Sequence, residues 1–331
     1  AISTGDIQTC VLLADGAVQC WGGYLYGELV SGISNAVAVS AGSRYTCAVL
    51  ADGAINCWGY NDDGQFGNGI SNPNSSIPVT VSGIRNAMAG STGYQHTCAA
   101  LADGTVQCWG ANSNGQLGNG TTSASSTPIT VNGIGPAVMV SAGRSYTCAV
   151  LADGTLRCWG SNTSGQLGNG TNIDSMTPVT VSGINTGVAV SAGSGQSCAL
   201  LADNTLRCWG SNTSGQLGNG TTINSSAPVT VNGITTAVAV SAGGNHTCAA
   251  LADGTLRCWG LNYSGQLGDG MVGINSSTPV AVSDITTAVA VSAGSTHTCA
   301  ALADGTLRCW GRNEFGQLGN GISGFNSTPT P

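Results

Sequence analysis

Fourteen cysteines divide the chain into seven repeats. They form pairs in which the two cysteines are ten residues apart, and the first cysteines of successive pairs are separated by 37, 51, 50, 50, 50 and 51 residues. Self-similarity with a period near 50 residues is typical of solenoids, propellers and repeat arrays. We place the repeats, all within a single domain, at about residues 1–35, 36–86, 87–136, 137–186, 187–236, 237–287 and 288–331.

The repeat that runs from Ala137 to Ile184 shows the local pattern. Short apolar and β-branched runs alternate with clusters of Gly, Asn, Asp and Pro, without helical periodicity, so each repeat predicts four short strands. Seven repeats of four strands indicate an all-β fold, a seven-bladed β-propeller of four-stranded antiparallel blades. The first and last repeats are short, which predicts shortened first and last blades.

The turn Leu-Ala-Asp-Gly recurs at the centre of the repeats, as at Leu151–Gly154. A three-residue hairpin loop places its last residue at positive φ, which favours Gly154. The fifth repeat has Asn204 at this position, and Asn is the residue that best tolerates the same conformation. A hairpin with this loop is therefore expected in every repeat.

The same hairpin register places the two cysteines of each pair opposite each other and predicts one disulfide within each blade. A zinc site is the weaker interpretation, because zinc sites favour C-x2-C spacings or nearby His, whereas these spacings are C-x9-C and the chain has only three His. Buried free thiols are a second alternative. Seven disulfides would require an oxidising, extracellular or cell-surface location. The expected bonds are Cys10–Cys20, Cys47–Cys57, Cys98–Cys108, Cys148–Cys158, Cys198–Cys208, Cys248–Cys258 and Cys299–Cys309.

The charge balance argues against a nucleic-acid partner. The chain has a net charge of −7, and its eight basic residues are all Arg and form no cluster. No apolar run approaches the length of a membrane span. The loop Gly165–Gly170 resembles a phosphate cradle, but it lacks the Lys and a following helix, so we expect turn chemistry and no cofactor or metal.

Two classes of recurring residue have both a structural and a functional interpretation. The seven tryptophans, each in Cys-Trp-Gly, favour core positions between blades over a sugar-stacking platform. His96, His246 and His297 share one repeat position with Gln and Tyr, which favours a structural role over a Ser-His-Asp triad. No residue breaks the repeat symmetry as catalysis would require, and we expect that the protein is not an enzyme.

The loops that precede each hairpin vary while the surrounding repeat does not. Symmetry places all seven at one end of the propeller, and Tyr, His and Arg are typical interface anchors. A binding face is therefore predicted there, against the alternative of ordinary loop variation. Its candidate residues are Arg44, Tyr45, Tyr94, His96, Arg144, Tyr146, His246 and His297.

The repeat reads A-G-x-x-[HYQ]-[TS]-C-A-x-L-A-D-G-x-L-x-C-W-G-x-N-x-x-G-Q-L-G-N-G. This pattern resembles the repeat of the regulator of chromosome condensation family over nearly the whole chain. The resemblance implies four-stranded blades around a central channel, and the paired cysteines are similar to those of secreted bacterial members. It does not imply one function, because propellers carry many.

We expect a non-enzymatic extracellular structural or binding propeller. The alternative is a secreted protein-binding inhibitor similar to a β-lactamase inhibitor protein, although the loops are mostly Ser, Thr, Asn and Gly rather than aromatic and acidic. Nucleotide exchange on a small GTPase is disfavoured by the disulfides and by the missing basic tail. A carbohydrate attachment is predicted in the outer loops at four sequons, Asn74, Asn224, Asn275 and Asn326.

Self-assembly is suggested by the short repeats. The first repeat lacks the Gly-Asn-Gly loop and most of the Thr-Pro-Val-Thr strand, and the last ends at 327–331, where that strand should begin. Two adjacent blades would then lack a full outer strand, and unpaired strand edges recruit partners. We therefore expect contacts through blades one and seven, and a surface filament is the assembly that such contacts would build.

Overall fold

A computed structural model of the chain describes residues 1–23, 25–322 and 324–330, and the side chains of residues 25–28 are outside this description. The strands of the first three blades are β1 Ile2–Thr4, β2 Gln8–Leu12, β3 Val18–Gly22, β4 Leu25–Leu29, β5 Ala36–Ala41, β6 Tyr45–Leu50, β7 Ile55–Gly59, β8 Ser75–Thr80, β9 Ala87–Thr92, β10 His96–Leu101, β11 Val106–Gly110 and β12 Ser125–Thr130. Those of the next two are β13 Ala137–Ala142, β14 Tyr146–Leu151, β15 Leu156–Gly160, β16 Ser175–Thr180, β17 Gly187–Ala192, β18 Gln196–Leu201, β19 Leu206–Gly210 and β20 Ser225–Thr230. The last two blades contain β21 Ala237–Ala242, β22 His246–Leu251, β23 Leu256–Gly260, β24 Ser276–Ala281, β25 Ala288–Ala293, β26 His297–Leu302, β27 Leu307–Gly311 and β28 Asn326–Thr330.

Each blade is a four-stranded antiparallel sheet built from consecutive strands, and seven such sheets form the predicted propeller. The first and last blades are short, as expected. Strand β1 has three residues, and the outer strands β4 and β28 have five where the other outer strands have six. Both short blades nevertheless keep a fourth strand. In the first blade β4 follows β3 after a short connection and pairs with it, and in the last blade β28 pairs with β27. No helix in the described part of the chain is long and apolar enough to span a membrane.

The central hairpins have the predicted geometry. The Leu151 amide donates to the Thr155 carbonyl, and Gly154 and Asn204 have φ values of 79° and 63°. This register places Cys148 opposite Cys158, and the same pairing recurs in all seven blades. Each of the seven predicted cysteine pairs is joined as a disulfide.

The core lies between neighbouring blades rather than inside one blade. Trp209 of the fifth blade, for example, packs with Leu156, Val181 and Ile184 of the fourth. Its side chain is fully buried, as are those of four other tryptophans. Six of the seven tryptophans are therefore buried at the core positions that the sequence predicts, and the seventh, Trp21, is half-buried.

The ring closes between the last and the first blade. The Ser295 amide donates to the Gly5 carbonyl over 3.1 Å, and the Thr4 amide donates to Ser292 Oγ over 3.0 Å. At the end that carries the variable loops, small residues from all seven blades surround a narrow channel mouth of about 100 Å³. The mouth is also lined by Asp6, Tyr94 and Arg144.

Candidate functional site

Six of the seven blade interfaces share one hydrogen-bond arrangement. In the Gly-Gln-Leu-Gly loop of one blade, the Gln carbonyl accepts bonds from the tryptophan and the hydroxyl side chain of the next blade. Gln116 O, for instance, accepts from Trp159 Nε1 over 2.9 Å and from Thr147 Oγ1 over 3.0 Å. The tryptophan bonds are Gln317–Trp21, Gln65–Trp109, Gln116–Trp159, Gln166–Trp209, Gln216–Trp259 and Gln266–Trp310.

Glycine is required where this loop meets the indole. Gly118 has a φ of 70°, and a Cβ added to it would lie 2.7 Å from Trp159 Nε1. Any side chain would therefore separate the loop from the tryptophan it covers. The motif that superficially resembles a phosphate cradle is thus a packing element between blades.

The predicted binding-face histidines are buried in the same interfaces. His96 Nε2 lies 2.9 Å from Thr147 Oγ1, whose own hydrogen is donated to the Gln116 carbonyl. Nε2 must therefore carry the proton, and the buried Nδ1 has no partner among the described residues. Burial lowers the pKa of His96 to about 4, and its ring is neutral at pH 7.

The other two histidines repeat this arrangement. His246 Nε2 contacts Thr298 Oγ1, and His297 Nε2 contacts Thr9 Oγ1. Burial lowers their pKa values to about 4 and about 3, the latter also because His246 is near His297. No carboxylate among the described residues hydrogen-bonds to any of the three. A Ser-His-Asp triad is therefore absent from the described part of the chain.

The prediction that five of these residues belong to a binding face is wrong. Tyr45 and Tyr146 are buried, and their hydroxyls donate to the carbonyls of the residues at the same position in the next blade. Burial also raises the pKa of both hydroxyls. Each of the five is the first residue of the second strand of its blade, and its side chain is buried in the blade interface, so it cannot contact a partner. These residues are Tyr45, His96, Tyr146, His246 and His297.

The remaining three candidates are exposed at one end of blades two to four. The Arg144 guanidinium lies 5.1 Å from the centre of the Tyr94 ring, and Arg44 lies 5.5 Å from that of Tyr60. These distances are typical of cation–π contacts. The structure thus pairs both of these arginines, Arg44 and Arg144, with an aromatic ring.

Acidic residues that the sequence analysis did not include lie beside these pairs. Gln95 Nε2 donates to Asp63 over 2.8 Å, and burial together with neighbouring Asp62 raises the pKa of Asp63. A cavity of about 200 Å³ lies between them. We call this surface the Arg/Tyr patch, and it comprises Arg44, Tyr60, Asp62, Asp63, Tyr94 and Arg144.

Sequence reasoning did not place Tyr60, Asp62 and Asp63 on the binding face, because they belong to a different loop from Arg44 and Tyr94. Asp62 and Asp63 beside Asn61 resemble a calcium loop in sequence, but no spaced carboxylates follow them. A local departure from the repeat could have indicated these residues. Where the second repeat has Asn-Asp-Asp-Gly, the fourth and fifth have Asn-Thr-Ser-Gly. No group of three or more metal-ligating side chains occurs within the described ranges, and Asp62 and Asp63 are therefore considered as surface charges.

A second cavity, of about 290 Å³, opens between blades one and two. It is lined by Trp58 and Thr46, and by Ser76 of the outer strand β8. Arg44 and Tyr60 line both this cavity and the Arg/Tyr patch. We call it the blade-gap cavity, because it lies between two neighbouring blades.

Three of the four predicted glycosylation sites lie in the outer loops. Asn74, Asn224 and Asn275 are exposed, and each side-chain oxygen accepts a bond from a loop amide. The fourth, Asn326, is half-buried at the start of β28. Carbohydrate at these positions stays a prediction.

Comparison with known proteins supports the architecture. Residues 30–331 match the RCC1-like domain family. Yeast RCC1 (Prp20), in a structure bound to Kap60, has a TM-score of 0.79 at 21% identity, covering 89% of this chain and 74% of that one. Human WBSCR16 has a TM-score of 0.79 at 22% identity, covering 88% and 80%.

A third similar structure is the ectodomain of the Arabidopsis thaliana receptor kinase ACR4, with a TM-score of 0.58 at 20% identity, covering 94% and 95%. No curated protein matches the sequence significantly. At these identities the structural similarities establish the fold alone.

Proposed function

We propose, from the premise that this chain belongs to the RCC1-like domain family, that it is a non-enzymatic, extracellular propeller that binds a protein partner. Propellers of this family are commonly protein-binding scaffolds, and yeast Prp20 binds Kap60, Gsp1p and histones. We assign the contact surface of this chain to the Arg/Tyr patch.

The break in repeat symmetry at the Arg/Tyr patch carries this proposal. The positions equivalent to Arg144 are Ser194 and Gly244 in the next two blades, whereas the patch concentrates two arginines, two tyrosines and two aspartates. Tyr and Arg are enriched among the residues that dominate binding energy. Such a surface therefore favours one docking site over seven equivalent ones.

An extracellular location is supported by the seven disulfides, since bonds of this kind persist in oxidising compartments. The ACR4 ectodomain provides an example of the fold in an extracellular region. Antibody detection in the medium and on intact cells of the source organism tests the location. Protein found only inside the cells would contradict it.

The inhibitor alternative gains support from the same surface. Sequence reasoning found no aromatic and acidic crowding, but Tyr60, Tyr94, Asp62 and Asp63 are brought together around one cavity. A protein partner that is an enzyme would then lose activity on binding. An activity assay of the purified partner, with and without the propeller, distinguishes an inhibitor from a scaffold.

The binding proposal is tested by affinity capture from the secreted and surface proteins of the source organism. The Tyr94→Ala/Arg144→Ala variant should retain a partner at least about tenfold more weakly than the unmodified protein, because each anchor contributes more than about 1 kcal/mol. Arg85→Ala is the matched control, since Arg85 is exposed at the opposite end of the propeller. Equal retention by all three proteins, or retention by none, would contradict the proposal.

A second candidate function, self-assembly into a filament, is favoured by an apolar rim on blades six and seven. Its side chains are 47% to 64% exposed. The Gly270 amide donates to the Ser327 carbonyl, which holds the loop of blade six against the outer strand of blade seven. Exposed apolar patches of this kind mark interaction surfaces. The rim comprises Met271, Val272, Ile274, Ile322 and Phe325.

Electron microscopy and sedimentation of native material test self-assembly. We expect Val272→Ser/Ile274→Ser to yield single propellers, and Ile173→Ser, which changes an exposed Ile of blade four, to assemble as the unmodified protein does. Single propellers in all samples, or contacts remote from the rim, would exclude this function.

A further inference from the structure

Two carboxylates of the Arg/Tyr patch have no cationic partner within the described part of the chain. Asp62 is exposed and its side chain makes no hydrogen bond there, and the Asp63 carboxylate accepts one bond, from Gln95 Nε2 over 2.8 Å. Burial and the neighbouring charge of Asp62 raise the pKa of Asp63. The two side chains therefore present negative charge that no described residue neutralises.

Blade seven shows how the same repeat position is neutralised elsewhere in this propeller. Glu314 stands at the position of Asp62, and Arg312 stands at the position of Tyr60. Arg312 Nε donates to Glu314 over 3.0 Å, and these two side chains form the only ion pair among the described residues. Blade two instead has two acidic residues in succession and an aromatic ring where blade seven has its arginine.

Arg44 is the one basic residue that lines the cavity of the Arg/Tyr patch, and it pairs with neither carboxylate. Its guanidinium lies 5.5 Å from the centre of the Tyr60 ring instead. Because Asp62 and Asp63 both line the cavity, its lining has one negative charge in excess. None of the other arginines lines it, so a second cation would have to come from another molecule.

A buried amide in the same cavity also lacks a partner. Gln65 lines the cavity and is 3% exposed, and its Nε2 donates to no described residue. Gln166, at the same repeat position, donates from Nε2 to Ser161, whereas blade two has Tyr60 in place of that serine. Gln266 has an unpartnered Nε2 too, but that atom is closed off from solvent in its interface. Gln65 can therefore donate to a carbonyl of a molecule that enters the cavity.

The remaining lining and the size of the cavity favour one basic side chain. Tyr60 and Tyr94 both contribute aromatic rings, and such rings attract cations as carboxylates do. The long side chains of Lys and Arg combine a charged head with an apolar stem that packs on such rings. A volume of about 200 Å³ is below the roughly 300 Å³ at which small-molecule pockets begin, so one side chain fits better than a complete ligand.

We infer that the cavity of the Arg/Tyr patch holds one basic side chain, a lysine or an arginine, of the protein partner. Asp62 and Asp63 receive the charged head, Tyr60 and Tyr94 contact the stem, and Gln65 donates to a main-chain carbonyl of the partner. This inference rests on the proposed function, because it specifies what the partner presents to the contact surface already assigned.

The probes are Nα-acetyl-lysine amide and Nα-acetyl-arginine amide, with the uncharged Nα-acetyl-norleucine amide as the matched control. Their binding is followed by fluorine NMR of the whole protein labelled with 3-fluorotyrosine, in which Tyr60→Phe and Tyr94→Phe assign two resonances. We expect the basic probes to shift both resonances, and less so at high salt, because ions screen the attraction. The norleucine probe should shift neither.

The test variant is Asp62→Ser/Asp63→Asn, which gives blade two the residues Ser113 and Asn114 of blade three. The Asn114 amide donates to the Gln side chain two residues later, as the Asp63 amide does, so the loop should keep its conformation. This variant should bind the basic probes at least about tenfold more weakly, because it loses the charged acceptors. Glu314→Gln is the matched control and should bind them unchanged, since Glu314 already pairs with Arg312.

The inference is overturned if neither basic probe shifts the Tyr60 and Tyr94 resonances, if norleucine shifts them equally, or if Asp62→Ser/Asp63→Asn binds as the unmodified protein does. A shift produced by calcium chloride but not by the basic probes would also overturn it, in favour of a metal site. Partner capture that depends on Tyr94 and Arg144, without any response to the basic probes, would overturn this inference and leave the proposed function intact. A response to the probes without partner capture would support the cavity assignment and contradict the proposed function.

Discussion

The three buried histidines should make the propeller unstable to mild acid. Each donates from Nε2 to a hydroxyl of the next blade, and its Nδ1 is buried without an acceptor among the described residues. Protonation would place a charge and an unpaired donor in a closed interface. The native state therefore excludes the proton that the unfolded chain readily binds.

The sign and size of the effect follow from the pKa values. The ordinary pKa of His is 6.5, and burial lowers it to about 4 in His96 and His246 and to about 3 in His297. Stability is therefore fully present above pH 6.5 and is lost as the pH falls toward the folded values. The loss is about 1.4 kcal/mol per pH unit for each histidine, or about 2 kcal/mol each and about 6 kcal/mol together at pH 5.

Carboxylates contribute little to the change in stability between pH 6.5 and pH 5. The turn aspartates of the hairpins have pKa values lowered by hydrogen bonds to the following Thr, so they titrate only below their usual range. Asp63, whose pKa is raised, acts in the opposite direction. A loss of about 6 kcal/mol is comparable to the whole stability of many domains, about 5–15 kcal/mol.

Denaturant unfolding, followed by tryptophan fluorescence at pH 7, 6, 5.5 and 5, measures the effect. The matched variant is His96→Gln/His246→Gln/His297→Gln, because Gln occupies the same position in the fifth blade, where Gln196 Nε2 donates to the carbonyls of Gly243 and His246. The variant should lose most of the pH dependence. An unchanged slope in the variant, or a flat profile in the unmodified protein, would refute the reasoning.

Three other predictions concern the blades. Non-reducing peptide mapping should find each cysteine linked to the one ten residues away, and links between blades would contradict the hairpin register. Gly168→Ala should destabilise the protein by about 2 kcal/mol more than Gly170→Ala in denaturant unfolding, because only the Cβ at position 168 would meet the Trp209 indole. Equal destabilisation by the two variants would contradict the required contact between this loop and the indole. Enzymatic deglycosylation should lower the intact mass of native material, because the outer-loop sequons carry sugars; an unchanged mass would exclude glycosylation.

The repeat, the hairpin turn and the cysteine register could be predicted because they are local. The turn at Leu151–Gly154 determines which residues face each other across two strands, so Cys148 and Cys158 follow from a separation of ten residues. The positive φ at Gly154 and Asn204 follows equally from the turn. Strand number and blade order then follow from repetition, because every repeat packs against its neighbours in the same way.

The functional surfaces were decided by contacts between repeats. His96 was predicted to lie on the same face as Tyr94, but its neighbours are residues 51 positions away in the next blade, which bury it. Arg44 meets Tyr60 only because two loops of one blade return to the same end. Sequence periodicity shows what the repeats share. Which side chains are buried and which form exposed clusters depends instead on the residues that meet across each blade interface. Those contacts exist only once the blades have assembled into the closed ring.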